Sequence, residues 1–223
     1  VPAAPFRAGA LEASGAPALA MGATFLAFGA AVAEAGFGIG WAVACSGAVY
    51  GMAGQLVLLG LAPGGAVIPA VVAATAANAR FLPMAVAIAP LLGRGTARAL
   101  AIPFIAITPW AAAMRRLPAL PEGARLRWFL GFALASWTAA LGATAAGHLL
   151  APVLPRPLLA ALLFANPLYF ALLLAADLGR PGARGAVIGG ALAAPLALVL
   201  GPAWGLLAAG LAGGTAAFLI GRR

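Results

Sequence analysis

Apolar runs follow one another along almost the whole chain, each closed by a cluster of glycine, proline or arginine. A run of about 20 residues crosses the hydrocarbon core of a bilayer as a helix. Read between that punctuation, the chain offers eight candidate spans: 16–33, 39–62, 66–92, 97–114, 127–150, 157–178, 185–200 and 203–220. The last two are short and separated only by Gly201-Pro202, so they are two tilted spans or one long broken helix. The pattern predicts an all-α fold, a polytopic transmembrane helical bundle of seven to eight segments. It fills a single integral membrane domain over 1–223.

Composition agrees. Hydrophobic residues make up 65% and charged residues 8%, with a mean hydropathy of +1.08, which removes a soluble globular domain from consideration. The net charge of +9 would suit a nucleic-acid binder, but the arginines stand singly or in pairs between apolar runs, as topology determinants do. Eight spans with both termini inside place Arg7, Arg115, Arg116, Arg125, Arg127, Arg180, Arg184, Arg222 and Arg223 in the cytoplasm, against Arg94, Arg98 and Arg156 outside. If 66–92 only dipped into the membrane, the later loops would change sides and the bias would invert, so a full crossing is expected there. Arginine without lysine in an Ala- and Gly-rich chain suggests a bacterial source, hence the inner membrane. Val1 to Leu11 lack the order of a signal peptide, and the single Cys45 allows neither an internal disulfide nor a zinc cluster.

Within this apolar background the polar residues inside spans are few. Arg80 lies near the middle of the third run, where a guanidinium costs ~3 kcal/mol or more and cannot shed its proton. It must face protein, water or an anion. Asn78 precedes it by two residues and Pro83 follows by three; Pro83 cannot donate to the carbonyl of Ala79, so a broken third helix lining a cavity is expected. In the second run Gly47 and Gly51 are four apart, a small-residue stripe that admits a neighbouring backbone, with Gln55 one turn further. Gln55 is either an interhelical hydrogen-bonding residue or part of a site with Asn78 and Arg80. Arg80 itself is either a binding residue or a structural arginine held by carbonyls of a neighbour. Glu34, His148 and Asp177 stand late in or at the ends of their runs, where solvated groups usually sit. Metal and nucleotide motifs are absent, and no cofactor is expected.

A faint internal echo pairs Ala27-Phe28-Gly29-Ala30 with Ala140-Leu141-Gly142-Ala143, Val49-Tyr50 with Leu168-Tyr169, and Ala66-Val67-Ile68 with Ala186-Val187-Ile188. Transporters are often built from such repeats, and Ala-rich sequence also matches itself by chance.

The first three runs resemble the AzlC family, the large subunit of bacterial branched-chain amino-acid exporters. The resemblance rests on Phe28-Gly29, the Glu34-Ala35-Gly36 turn, Ser46 with Val49-Tyr50-Gly51-Met52-Ala53-Gly54-Gln55, and above all Asn78-Ala79-Arg80 followed by Ala89-Pro90. Trp137 with Gly142 also fits. The family's Asn-x-Arg element is usually followed by His, where this chain has Phe81. An acidic pair common in the fourth segment is replaced by Ile107-Thr108-Pro109-Trp110, and an Asp common ahead of the sixth is missing. The resemblance implies a transporter subunit rather than an enzyme. It implies export of valine, leucine and isoleucine with a small AzlD-like membrane partner. Arg80 would hold the substrate carboxylate, assisted by Asn78, Gln55 and Tyr50, and a freed carbonyl near Pro83 or Glu34 would receive the ammonium. Two other readings compete. Ser46-Gly47-Ala48-Val49-Tyr50-Gly51 looks like the serine element of rhomboid proteases, with His148 as the base; alternatively, the chain is a channel or scaffold subunit without transport of its own.

Overall fold

The computed structural model describes residues 4–179 and 183–221, and every regular element among them is helical. In chain order the α-helices are α1 Pro5–Ala13, α2 Ala16–Glu34, α3 Ile39–Ala48, α4 Met52–Leu61, α5 Val67–Asn78, α6 Phe81–Ile88, α7 Thr96–Ala101, α8 Ile107–Arg116, α9 Glu122–Leu150, α10 Arg156–Asp177, α11 Ala183–Ala193 and α12 Pro195–Gly221. Pro5, Pro17 and Pro195 occupy first turns, where the missing N–H has no helical partner to lose. The chain is thus the all-α helical membrane bundle that its apolar runs predict. Arg180, Arg222 and Arg223, three of the arginines assigned to the inside, lie outside the described residues.

Breaks distinguish this bundle from a set of plain crossings. Among the described residues three unbroken helices are long and apolar enough to span, namely α2, α9 and the stretch Arg156–Ala176; α5 and the segment from Phe81 to Leu92, bent by 46° at their break, reach that length and apolarity only as a pair. The interruption falls at Ala79-Arg80, as expected, but Pro83 is not its cause. Pro83 sits in the first turn of α6, where its lack of a donor is harmless. The second run is also broken, at Val49–Gly51, which separates Gly47 from Gly51 and removes the expected continuous small-residue stripe. There the amide of Gly51 closes a tight turn onto the carbonyl of Val49 at 2.7 Å. The fourth run breaks as well, between α7 and α8. At the far end the turn falls at Ala194 rather than at Gly201-Pro202, through which α12 runs on. Pro195 opens α12, so the position that favours a helix start lies there. At 11 residues, or about 16 Å, α11 is too short to cross a ~30 Å hydrocarbon core.

Contacts divide the chain into two compact units, one running to Met52 and resuming over Phe81–Asn166, the other comprising Ala53–Arg80 and the chain from Pro167 on. In the first, α9 is the spine. Its 29 residues, about 44 Å, present Trp128, Phe129, Phe132, Ala133, Ser136, Ala140, Thr144 and Gly147 at three- and four-residue spacing to the helices around it. Two pairs of glycines hold α1 and α2 against it. A Cβ on Gly29 would collide with the backbone of Thr144 and His148, and one on Gly147 with that of Leu26; Gly9 and Gly131 meet Trp128 and Phe6 in the same reciprocal way. Residues 6–9 thus lie beside 128–132 and residues 26–29 beside 144–148, so from α1 to α2 the chain advances along α9 from its first half to its last turns. Gly29 and Gly147 are equivalent in this packing, whereas Gly142, the glycine the sequence echo selects, faces open space. The turn after α2 is closed by Gly36 at φ 81°, with the amide of Phe37 returning to the carbonyl of Val32 at 3.2 Å.

In the second unit α12 packs against both α11 and α5. Gly189 and Gly213 meet backbone to backbone, which draws α11 and α12 into a close antiparallel hairpin.

Candidate functional site

The second unit contains three of the four residues singled out in the sequence. Asn78 ends α5, and its side-chain Oδ1 accepts the amide N–H of Gly54 at 3.2 Å. Gly54 lies in the first turn of α4, where amides have no intrahelical acceptor, so Asn78 caps one helix from the end of another. The absence of a Cβ at Gly54 makes the contact possible: a side chain there would occupy the space of the Asn78 amide. Gln55 follows directly. It is fully buried, and neither Nε2 nor Oε1 has a hydrogen-bond partner. An amide left in that state costs about 1–3 kcal/mol, which a stable protein retains where something else satisfies it. Arg80 is partly buried in the two-residue break after Asn78.

These elements meet with opposite polarity. The first turn of α4 presents the positive end of a helix dipole, and the last turn of α5 the negative end. The amide of Ala79 returns to the carbonyl of Ala76 at 3.1 Å, a tightened last turn, so the break itself, not a proline, ends the helical ladder. Gly54 was visible in the sequence only as part of a motif; its role as the seat for Asn78 appears only once the two helices cross.

Tyr50 belongs to the first unit. It lies in the break of the second run, 7% exposed, packed with Met21, Phe25, Ala106 and Ala140, and its hydroxyl donates to the Sδ of Met21 at 3.4 Å. Sulfur is a weak acceptor, so this hydroxyl has capacity to spare.

Ser46 and His148 lie on helices that pack together, although more than 100 residues separate them in the chain, but they do not form a dyad. Ser46 Oγ is bonded to Thr144 Oγ1 at 2.8 Å, fully buried, and His148 Nε2 lies 2.9 Å from the carbonyl of Phe37 and donates to it. The hydroxyl and the imidazole, which a protease would join, are each committed elsewhere. Trp137 completes this set by donating its indole N–H to the carbonyl of Gly47 at 3.2 Å, an acceptor at the open end of α3. Glu34 is exposed at the end of α2. Among the described residues no group of three or more metal-ligating side chains exists.

Interrupted helices whose ends and polar side chains meet inside an apolar bundle are the construction of a membrane transport protein. Comparison with known families agrees: the AzlC protein family matches residues 17–154, more than half of the chain, and the chain belongs to it. That family is one of membrane transport subunits. Comparisons with curated proteins and with solved structures gave no match.

Proposed function

We propose that this chain is the large subunit of a bacterial inner-membrane exporter of valine, leucine and isoleucine, working with a small AzlD-like membrane partner. The observation that carries the reading is the buried Gln55, with both amide atoms unpartnered, next in the chain to Gly54 of the Asn78–Gly54 cap, whose Asn78 directly precedes the helix break that holds Arg80. An amino acid is a zwitterion, and this corner offers a positive and a negative helix end together. The carboxylate goes to the Arg80 guanidinium, whose planar fork suits it, and to the start of α4; the ammonium goes to the carbonyl end of α5. Gln55 supplies the donor and acceptor that close the site. The family resemblance also names Tyr50, which belongs to the first unit, and the Ala, Val and Leu side chains of α4 and α5 suit an aliphatic substrate.

Efflux from cells loaded with an Ala-Val or Ala-Leu dipeptide, with and without this chain and a small AzlD-like membrane protein, tests the reading. Export should need both chains, and Arg80→Gln should abolish it while the protein still inserts. Unimpaired efflux by Arg80→Gln, accompanied by loss of the complex with the partner, would make Arg80 interface glue instead.

A further inference from the structure

The geometry points to a second binding site, for a small monovalent anion, at the N-terminus of α8 in the first unit. This terminus is buried yet uncapped. Ile105 and Ala106 lead into it in extended conformation, 5% and 9% exposed, and no side chain bonds to the first amides. With proline at the third position, the free donors are the N–H groups of Ile107 and Thr108, and the amide of Trp110 already returns to the carbonyl of Ala106 at 2.9 Å. An enclosed helix start without an acceptor calls for one.

Independent side-chain evidence comes from α9. Ser136 is 1% exposed and its Oγ has no hydrogen-bond partner. One turn before it, Phe132 and Ala133 pack in the same cluster as Ile105 and Trp110; one turn after it, Ala140 packs in the same cluster as Ala106. Ser136 thus lies on the stretch of α9 that passes from the first cluster to the second, as Ile105-Ala106 does on the facing segment. Thr108, a residue 6% exposed, adds a second hydroxyl, and the indole N–H of Trp110 is buried without a partner. The polar groups that these two segments carry are hydroxyls, an indole N–H and helix amides. The carboxylates of this unit, Glu12, Glu34 and Glu122, all lie elsewhere, at the ends of α1, α2 and α9. Donors without a counter-charge, inside apolar walls, suit a dehydrated halide or the carboxylate of a small molecule. The site is separate from the one proposed at Arg80 and does not depend on it.

The test uses the full chain purified in halide-free micelles, with its unfolding midpoint measured as sodium chloride replaces sodium gluconate at constant ionic strength. Chloride should raise the midpoint saturably by a few degrees. Ser136→Ala combined with Thr108→Val should weaken the apparent affinity by about tenfold or more. Pro109→Asp, which places a tethered carboxylate in the first turn, should make the midpoint independent of chloride without lowering it, and it carries the test if the double variant does not fold. Equal midpoints in chloride and gluconate, or a chloride response unchanged in both variants, would overturn the proposal. Loss of the response in Arg80→Gln would overturn it too, since the anion would then sit on the arginine. Sodium acetate and valine identify the native ligand: suppression of the chloride response by either marks a carboxylate, and a response confined to halides marks a halide.

Discussion

Gly147→Ala should separate α2 from α9, and the structure sets the size of the effect. The new Cβ would lie 2.6 Å from the carbonyl carbon of Leu26 and 2.9 Å from its Cα, with the oxygen closer still. Ordinary contact begins near 3.4 Å, and the carbonyl oxygen sets the requirement, so the helices must part by more than ~1 Å at this point. Backbone cannot swing aside as a side chain can, and such overpacking costs about 1–3 kcal/mol. Gly29→Ala meets the same obstacle from the other side, at the carbonyl carbon of Thr144, 2.8 Å away. Because one separation relieves both clashes, the second substitution should add little once the first is present. The double variant should therefore fall short of the sum of the singles by about 1–2 kcal/mol. Gly142→Ala is the control: nothing lies within 4 Å of its Cβ, and alanine is the better helix former. Denaturant titration in micelles, followed by tryptophan fluorescence and circular dichroism, measures all four variants. Additive costs, or a Gly147→Ala no less stable than Gly142→Ala, would refute the reciprocal packing.

Gln55→Leu should raise stability by about 1 kcal/mol, since it removes a buried amide that has no internal partner, and should abolish efflux; parallel unfolding and transport measurements check the opposite signs. Arg80→Lys keeps the charge but loses the planar fork, so the dipeptide assay should show export sharply reduced with insertion unchanged. Single cysteines placed in the 115–126 connection of a Cys45→Ala background should resist impermeant thiol reagents in intact cells, because Arg115, Arg116 and Arg125 mark that side as cytoplasmic.

Much of this molecule is legible in its apolar runs, and the places where they mislead share a cause. Hydropathy reports how long a segment stays out of water, not whether its backbone stays helical. The second run is uniformly apolar from Ala48 to Met52, yet the helix stops there because Tyr50 turns into a core with Phe25 and Met21. That is a tertiary demand no local pattern records. Pro83 and Pro202 look like breakers but sit inside helical segments, one in a first turn and the other in α12, while the actual turns fall at Ala79-Arg80 and Ala194. Asn78 was identifiable as a rare intramembrane amide; that it would cap Gly54 was not, because the cap joins residues 24 positions apart on different helices. The Gly29–Gly147 pair escaped for the same reason, and the sequence echo aligned Gly29 with the outward-facing Gly142. Pairing partners such as Ser46 with Thr144 leave no mark on either run alone.

The position of the spine helix late in the chain bears on how the protein is made. The face of α2 that carries Gly29 has its partner in Gly147, which leaves the ribosome 118 residues later (147 − 29). At ~5–20 residues per second, that interval is about 6–24 s. During it, α2 and α3 sit in the bilayer with a bare backbone ridge at Gly29 and the Ser46 hydroxyl unmatched. Temporary shelter by the insertion machinery or by lipid must bridge that wait. Nascent chains halted before residue 144 would hold an unclosed first unit and become substrates for membrane proteolysis, whereas chains extended past α9 would be the first able to escape it.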